Sequence, residues 1–362
     1  MRGDGDIEAA ARRFQIAGEF IQAELFGSGH INDSYCALFR QNGSDRRYLL
    51  QRINIHVFKN PVALMQNMER VTSHIAGLIE HEPDHERRNL SLIKSDDGSS
   101  LHFDASGGCW RMMHFIERSQ VLESLESPQQ AFQIAAAFGR FQQQLASLPA
   151  PRLNDTIPDF HNTPKRFAAL EAAIESDVLN RVQFAKEAIE YALTRKAVAT
   201  VLLDAGLPER ITHNDTKSSN VLLDEVTGEG LCVIDLDTVM PGLALYDFGD
   251  MVRSMCSPAA EDERDLSRVD LQVPIFEALA RGYLSTAGEL LNGREKQFLT
   301  ASGKLITFEN GLRFLSDYLN GDTYYKVHRE GQNLDRCRAQ FKLVESIENQ
   351  EEELNRLVES LA

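Results

Sequence analysis

Four side chains between residues 211 and 235 have the types and the spacing of a phosphoryl-transfer site. Asp215 is followed two residues later by Lys217 and five residues later by Asn220, and Asp235 comes after an intervening strand-turn-strand pattern. A carboxylate can accept the proton of an acceptor hydroxyl, and an ammonium group can neutralise a transferring phosphoryl group. We therefore predict Asp215 and Lys217 as catalytic residues. The alternative is an ordinary polar loop with capping Asp and Asn side chains.

Two short apolar runs lie between Asn220 and Asp235 and enclose a polar segment with two glycines, which predicts a β-hairpin. Pairing of Val221 with Ile234 would place Asn220 opposite Asp235, about 5 Å away across the two strands. An amide oxygen beside a carboxylate is a hard-oxygen ligand pair that suits Mg²⁺. We predict Asn220 and Asp235 as the metal ligands.

Two further carboxylates follow the hairpin and compete for the metal role. Asp247-Phe248-Gly249 spells the triplet that holds metal in protein kinases, but it lies farther along the chain than the hairpin allows. We predict that Asp247 caps the next helix and hydrogen-bonds the loop that contains Asp215, residues 212–220, which we call the catalytic loop. Asp237 could be a second metal contact, a turn former or a substrate contact, and the sequence leaves these open.

Composition excludes several classes of function. The chain has 362 residues, 43% hydrophobic and 25% charged, which is ordinary globular composition and enough for two lobes with separate cores. A formal net charge of −16 disfavours general binding to nucleic acid or to an anionic membrane surface. Five cysteines without a Cys-x-x-Cys pair are typical of reduced thiols, so we expect a cytoplasmic protein. No signal sequence and no apolar stretch of about 18 residues is present, so we expect no membrane span.

The first part of the chain predicts strands around a glycine turn. After a helical pattern over residues 7–20, two strand-like runs flank a turn that contains Gly27, Gly29, His30 and Asn32. This is the form of a loop whose backbone N–H groups cover nucleotide phosphates, although an ordinary hairpin turn also fits two glycines. We predict that these four residues bind the nucleotide.

The next predicted strand, residues 48–53, lacks the lysine that a phosphate-binding strand would carry. Arg52 could supply the charge, with Glu69 on the following helix as its partner. A surface cation and a solvated glutamate are an equally open interpretation. A strand over residues 110–116 then leads to a hinge near Phe115, where backbone groups would hydrogen-bond adenine.

Strands before residue 116 and helices after residue 127 predict an α+β fold with two lobes in a protein-kinase-like arrangement. The N-terminal lobe, residues 1–116, is an antiparallel sheet with a helix and covers the nucleotide. The C-terminal lobe, residues 117–362, is larger, mainly helical, and carries the catalytic and substrate-binding residues. Ser127-Pro128 is a typical helix start.

These motifs resemble the aminoglycoside phosphotransferase and choline kinase superfamily, and within it the N-acetylhexosamine 1-kinases. The resemblance implies phosphorylation of the anomeric hydroxyl of N-acetylglucosamine or N-acetylgalactosamine, with ATP as co-substrate and Mg²⁺ as cofactor. It further implies that Asp215 is the base and a sugar contact and that Arg313 and Tyr324 bind the sugar. We also expect the protein to be a monomer. The segments that carry the resemblance are 27–32, 50–54, 212–217, 233–242, 246–250 and 313–324.

Two other functions stay open at this point. The same enzyme class could act on an amino alcohol, homoserine or an aminoglycoside, although such cationic substrates favour a carboxylate-rich pocket and Arg313 suits a neutral polyol. The missing strand lysine also fits a non-catalytic nucleotide-binding pseudokinase, against which the intact Asp215, Lys217, Asn220 and Asp235 argue. The choice between the two hexosamines stays open as well.

Overall fold

The N-terminal part of the chain is an antiparallel sheet, seen in a computed structural model that describes residues 4–27 and 31–361. Its strands are β1 (Glu19–Leu25), β2 (Asp33–Gln41), β3 (Ser44–Ile53), β4 (Leu92–Ile93), β5 (His102–Phe103) and β6 (Cys109–His114). The order across the sheet is β1-β2-β3-β6-β4, and β5 also pairs with β6.

The two faces of this sheet carry different residues because strand side chains alternate. Leu50 and Met112 pack on one face with helix α1 (Asp4–Ala11). Arg111, one residue before Met112, points to the other face and contacts helix α2 (Pro61–Ile79). The sheet therefore has an apolar outer layer and a polar inner position that faces the rest of the molecule.

The predicted helix over residues 7–20 is partly wrong. Helix α1 ends at Ala11, and β1 begins at Glu19. Gly18 separates them with a φ of 130°, at a point where a Cβ would lie 2.4 Å from the Arg40 carbonyl oxygen. Helical periodicity in the sequence could not reveal this close approach of two strands.

The rest of the chain is mainly helical and carries short strands around the candidate site. The strands are β7 (Ser119–Gln120), β8 (Glu209–Thr212), β9 (Val221–Asp224), β10 (Gly230–Val233) and β11 (Met240–Leu243). The helices are α3 (Pro128–Leu145), α4 (Thr163–Ser176), α5 (Lys186–Thr194), α6 (Val201–Asp204), α7 (Ala244–Met255), α8 (Val273–Ala287), α9 (Gly293–Gln297), α10 (Leu299–Leu319) and α11 (Gln332–Leu361).

Local sequence signals fix several helix starts. Ser127 accepts a hydrogen bond from the Gln130 N–H, and Pro128 occupies the first turn of α3, as predicted. The largest core joins α3, α7 and α8 to the β9–β10 hairpin, and Cys232 lies in it. A second core packs α4 and α5 on α10 and α11. The α+β class with an antiparallel N-terminal sheet is confirmed.

None of the helices in the described ranges is long and apolar enough to cross a membrane.

Candidate active site

The β9–β10 hairpin forms as predicted, but one residue out of the predicted register. Val221 pairs with Val233, and the Ile234 N–H donates to the Asn220 carbonyl oxygen at 2.9 Å. The prediction that Asn220 lies opposite Asp235 is therefore wrong. Ile234 pairs with Asn220, and Asp235 is the next residue, so Asn220 and Asp235 still lie at the same end of the hairpin.

A β-bulge between Gly230 and Cys232 changes the register inside the hairpin, so the pairing is two residues from the predicted one at Gly230 and one residue from it at Val233. Gly230 packs against α3, where a Cβ would be 2.6 Å from the Gln133 carbonyl oxygen, so this strand end is placed by a tertiary contact. Beyond the hairpin, Asp235 has the left-handed values φ 60° and ψ 57°. This conformation is uncommon for residues other than glycine and is more common for Asp and Asn.

The catalytic loop is held by two carboxylates from α7. Asp247 accepts hydrogen bonds from the backbone N–H groups of His213 (2.9 Å) and Asn214 (2.7 Å). Asp250 accepts one from the N–H of Thr216 at 2.7 Å. The predicted bond from Asp247 to the loop is confirmed, but its predicted capping role is wrong, because Asp247 lies inside the first turn and makes no cap hydrogen bond. The loop therefore has a fixed backbone on both sides of its central residue.

Asp215 is that central residue, and its two carboxylate oxygens have different surroundings. Oδ2 accepts hydrogen bonds from Lys217 Nζ and from Asn220 Nδ2, both at 3.0 Å. Asn220 Nδ2 also donates to the Asp215 carbonyl oxygen at 2.8 Å. No described residue donates to Oδ1, so this oxygen is available to accept a proton from a substrate hydroxyl.

Electrostatics keep Asp215 and Lys217 charged. Burial opposes ionisation of Asp215, but Lys217 more than offsets it and holds the pKa of the carboxyl below its usual range. Burial likewise opposes the charge of Lys217, and Asp215 and Asp235 together raise its pKa above the usual value. The pair is therefore ionised at neutral pH.

Asp235 shows the opposite behaviour. Asp235 is exposed to solvent at the surface, but many protein atoms lie close to its carboxylate. The resulting desolvation, together with the nearby charges of Asp237 and Asp215, raises the pKa of Asp235 to about 6. No described residue donates a hydrogen bond to its carboxylate. A carboxylate in this state gains stability from a cation beside it.

This donor set fits Mg²⁺. The Asp235 carboxylate and the Asn220 Oδ1 are hard oxygens without hydrogen bonds from the described residues. Across residues 4–27 and 31–361 no group of three or more His, Cys, Asp and Glu side chains is arranged as a metal centre. A site with two protein ligands suits Mg²⁺, which takes phosphate oxygens and water for its remaining positions. The assignment of Asn220 and Asp235 as ligands stays a prediction.

On the sheet side of the cleft, the predicted pair of Arg52 and Glu69 is wrong. Glu69 forms an ion pair with Lys94 at 2.6 Å, and Arg52 lies 3.9 Å from Asp33. Strand alternation also sends Arg52 to the face of the sheet opposite its neighbour Gln51. The buried cation on the inner face is Arg111, which forms an ion pair with Asp237.

Gly27 and Phe115, two other predicted nucleotide-binding residues, are brought near each other by Phe26. Gly27 has a φ of 80°, and Gly29 and His30 lie outside the described residues. The Phe115 ring packs edge-on to Phe26, with 5.3 Å between the ring centroids. Nucleotide binding by Gly27, Gly29, His30 and Phe115 stays a prediction.

On the acceptor side, Arg313 projects from α10 between two aromatic rings. Its guanidinium carbon lies 5.4 Å from the centroid of Phe160 and 5.6 Å from that of Tyr325. No described residue accepts a hydrogen bond from it. Tyr324, which is 61% exposed, packs on Tyr325. The structure thus brings Arg313 and Tyr324, the two predicted sugar-binding residues, onto one wall that also contains Phe160 and Tyr325.

A buried polar contact links this wall to the catalytic loop. Glu309, one turn before Arg313, lies 2.9 Å from His161 Nδ1 and accepts a hydrogen bond from Thr163 at 2.6 Å. The other ring nitrogen of His161 lies 3.3 Å from the carbonyl oxygen of Asn214, the residue before Asp215. Sequence reasoning missed His161, because only the packing of α10 brings it to the loop.

Arg253 is a second residue that sequence reasoning missed. It pairs with Asp250 at 2.7 Å and lies 3.8 Å from Glu261. Its charge also contributes to lowering the pKa of Asp215. Arg253 therefore adds a positive charge near Asp215, while its own ion pairs are with Asp250 and Glu261.

The catalytic loop and the hairpin end together form a phosphotransferase site on a two-part α+β fold. The chain matches the profile of the phosphotransferase enzyme family, APH, over residues 22–285, and it belongs to that family.

Solved structures agree on the fold. An aminoglycoside phosphotransferase from Alicyclobacillus acidocaldarius has a TM-score of 0.59 at 14% identity, covering 98% of this chain and 96% of that one. Spectinomycin phosphotransferase in complex with ADP and spectinomycin scores 0.57 at 13% identity, covering 97% and 99%. Choline kinase from Cryptosporidium parvum scores 0.54 at 13% identity, covering 98% and 96%. At these identities the likeness is one of fold.

Proposed function

We propose that this phosphotransferase is an ATP- and Mg²⁺-dependent kinase that phosphorylates the anomeric hydroxyl of N-acetylhexosamines. The observation that carries the acceptor class is Arg313. Its guanidinium offers up to five N–H donors, and none of them is used by a described residue. A planar set of donors beside the exposed Tyr324 ring suits a neutral sugar with hydroxyl and amide oxygens and one apolar face.

The charges on the acceptor side argue against a cationic acceptor such as an amino alcohol or an aminoglycoside. Glu309 is engaged by His161 and Thr163, while Asp250 and Glu261 lie beside Arg253. The carboxylates of this wall therefore already have partners in the protein, and Glu309 also interacts with Arg313. A positively charged substrate would find no unpartnered carboxylate among these three residues and would be repelled by Arg313.

The proposed chemistry is an in-line transfer of the γ-phosphoryl group. Asp215 Oδ1 accepts the proton as the sugar O1 forms its bond to phosphorus, and the bond from phosphorus to the β–γ bridging oxygen breaks. Lys217, held 3.0 Å from Asp215 Oδ2, places positive charge beside the transferring group. Mg²⁺ held by Asn220 and Asp235 would supply further charge neutralisation on the phosphates. The products are the sugar 1-phosphate and ADP.

The nucleotide side of the proposal rests on the family and on position. A related fold, spectinomycin phosphotransferase, has been solved with ADP. In this chain Gly27 and Asn32 precede β2 where a phosphate-covering turn would lie, and Phe115 lies at the junction of sheet and helices. Arg52 is no longer a suitable phosphate contact, because it lies on the outer face of the sheet.

An acceptor panel tests the proposal. ADP release would be followed with N-acetylglucosamine, N-acetylgalactosamine, glucose, ethanolamine, choline, homoserine and an aminoglycoside. We expect turnover with the two N-acetylhexosamines, and phosphorus NMR should show an anomeric phosphate. Preference for a cationic acceptor, or a 6-phosphate product, would contradict the proposal.

Substitution at Arg313 supplies the matched control for the panel. Arg313→Met retains an unbranched side chain but removes the donors, so we expect the KM for the sugar to rise at least about tenfold while ADP binding is unchanged. Arg338→Met, at a partly exposed arginine on α11 that pairs with Asp335, should leave both values as in the wild type. No turnover with any acceptor in the wild-type protein would favour the pseudokinase interpretation.

A further inference from the structure

A row of polar side chains crosses the inner face of the sheet. Ser34, Gln51 and Arg111 are directly opposite one another on β2, β3 and β6. Gln51 Nε2 donates to Ser34 Oγ at 2.9 Å, and Arg111 Nε donates to Gln51 Oε1 at 2.9 Å. Gln51, on the strand that lacks the expected lysine, therefore fixes the orientation of the Arg111 guanidinium.

Arg111 finds its carboxylate outside the sheet lobe. Its Nη1 donates to Asp237 Oδ1, and the two side chains are 1% and 2% exposed. Helix α2 offers only sulfur atoms, with Met68 Sδ at 3.6 Å and Met65 Sδ at 3.9 Å from Nη1. At this low exposure Arg111 cannot reach a bound phosphate directly, so any effect on the nucleotide must pass through Asp237.

Asp237 receives a second donor from the segment before β2. Asn32 Nδ2 donates to Asp237 Oδ2 at 2.6 Å, while Asn32 Oδ1 accepts the N–H of Asn54 at 3.0 Å. One carboxylate thus joins three parts of the molecule: the sheet through Arg111, the entry to β2 through Asn32, and the turn that follows Asp235. Both of its oxygens are occupied by these protein donors.

We propose that Asp237 is a positioning residue and not a metal ligand, and that with Arg111 and Asn32 it holds the nucleotide-covering side of the cleft against the metal-binding turn. The contact takes the place of the strand lysine and helix glutamate pair of protein kinases. It differs because it bridges the sheet to the catalytic part of the chain, so it acts on nucleotide affinity and not on acceptor affinity. The inference rests on the phosphotransferase family and is independent of the identity of the acceptor.

ADP titration calorimetry of the full chain tests this inference, once in Mg²⁺ and once in EDTA. We expect Asp237→Asn and Arg111→Met each to weaken ADP binding about tenfold, by the same factor in both buffers. The double variant should be no weaker than the worse single variant, because both changes remove one contact. Arg111→Lys, which keeps the charge but loses the bond to Gln51, should recover part of the loss. In turnover assays with a sugar acceptor, the KM for ATP should rise and the KM for the acceptor should not.

A metal-ligand role for Asp237 predicts a different pattern. Asp237→Asn would then weaken ADP only in Mg²⁺ and raise the Mg²⁺ concentration needed for half-maximal turnover, while Arg111→Met would not. That pattern, or additive losses in the double variant, would overturn the inference.

Two further variants keep the test decisive if the buried substitutions impair folding. Asn32→Ala leaves the Arg111–Asp237 ion pair intact, and we expect it to weaken ADP severalfold at an unchanged melting temperature. Arg88→Met removes an ion pair to Glu229, 3.0 Å long, that also joins the sheet part to the hairpin but lies outside this network. It should leave ADP affinity unchanged, and unchanged affinity in Asn32→Ala as well would contradict the inference.

Discussion

The catalytic loop and the sheet face opposite it are held by contacts of different range. The loop is fixed by its backbone N–H groups, which donate to Asp247 and Asp250 on α7, 34 residues farther along the chain. The sheet face is fixed by side-chain contacts, in which Arg111 and Asn32 reach Asp237 across 126 and 205 residues. The geometry of the loop therefore depends on contacts to α7, which is near in the chain. The nucleotide-covering side depends on contacts between residues that are far apart in the chain.

This difference separates chemistry from nucleotide binding. A change in the loop should lower turnover with little effect on ADP affinity, and a change in the Arg111–Asp237 contact should do the reverse. Each part of the site can then be impaired alone, which allows the comparison to be tested.

The largest effect is expected at the loop. Asp215→Asn removes the proton acceptor but keeps the size and most hydrogen bonds of the side chain, so kcat should fall about 10³-fold. ADP affinity, measured by calorimetry, should stay within about twofold of the wild type if the two parts are separate. A kcat near that of the wild type would exclude Asp215 as the base.

The long-range contact should give the largest effect on stability. Arg111→Met leaves the buried Asp237 carboxylate without its cation, so the free energy of unfolding should fall by about 3 kcal/mol. In the double variant Arg111→Met/Asp237→Leu no charge is left unpaired, and most of that loss should be recovered. Urea denaturation of both variants measures this, and equal losses in the two would show that the pair matters only for packing.

A smaller effect of opposite sign is expected at Asp235. Its folded-state pKa of about 6 is above the unfolded value of about 3.9, so its contribution to stability is complete below pH 4 and is lost as the pH rises through 6. In EDTA at pH 7, Asp235→Asn should therefore raise the free energy of unfolding, by about 1 kcal/mol after discounting for solvent screening at this exposed side chain. At pH 4 the difference in the free energy of unfolding between variant and wild type should vanish. Turnover measured separately in Mg²⁺ should be lost in the variant at either pH.

Asp224, at the other end of the same hairpin, is the control for Asp235. Backbone N–H donors from its turn and the Arg87 guanidinium hold its pKa below the usual range. Its ionised form is therefore favoured in the folded state, and that contribution is present at neutral pH and lost in acid. Asp224→Asn should lower the free energy of unfolding at pH 7. An increase, as expected for Asp235→Asn, would contradict the opposite pKa directions assigned to the two carboxylates.

The smallest effect is expected at a surface pair remote from both parts of the site. Arg152 bonds Glu209 at 2.8 Å, but both side chains are about half exposed. Arg152→Gln should change the free energy of unfolding by less than about 0.5 kcal/mol and should leave kcat and ADP affinity unaltered. A larger change in urea denaturation would mean that this pair is coupled to β8 and the loop.

The sequence predicted what depends on near neighbours. The hairpin, the helix start at Ser127 and the bond from Asp247 to the loop all follow from residue types at short spacing. The register of the hairpin could not be predicted, since it changes at a β-bulge between Gly230 and Cys232, where the strand packs closely on α3. Arg111 was overlooked for a related reason, because nothing near it in the chain indicates that its partner lies 126 residues away.

Two neighbouring side chains on one face of α10 set a limit on how the acceptor preference of this protein could be altered. Arg313 is available to a ligand, but Glu309, one turn earlier and wholly buried, is committed to His161 and through it to the catalytic loop. Replacing Arg313 or Tyr324 would change what is recognised while the loop is retained. Replacing Glu309 would disturb the loop itself. A library designed to broaden the acceptor range should therefore vary residues 313 and 324 and keep residue 309 constant.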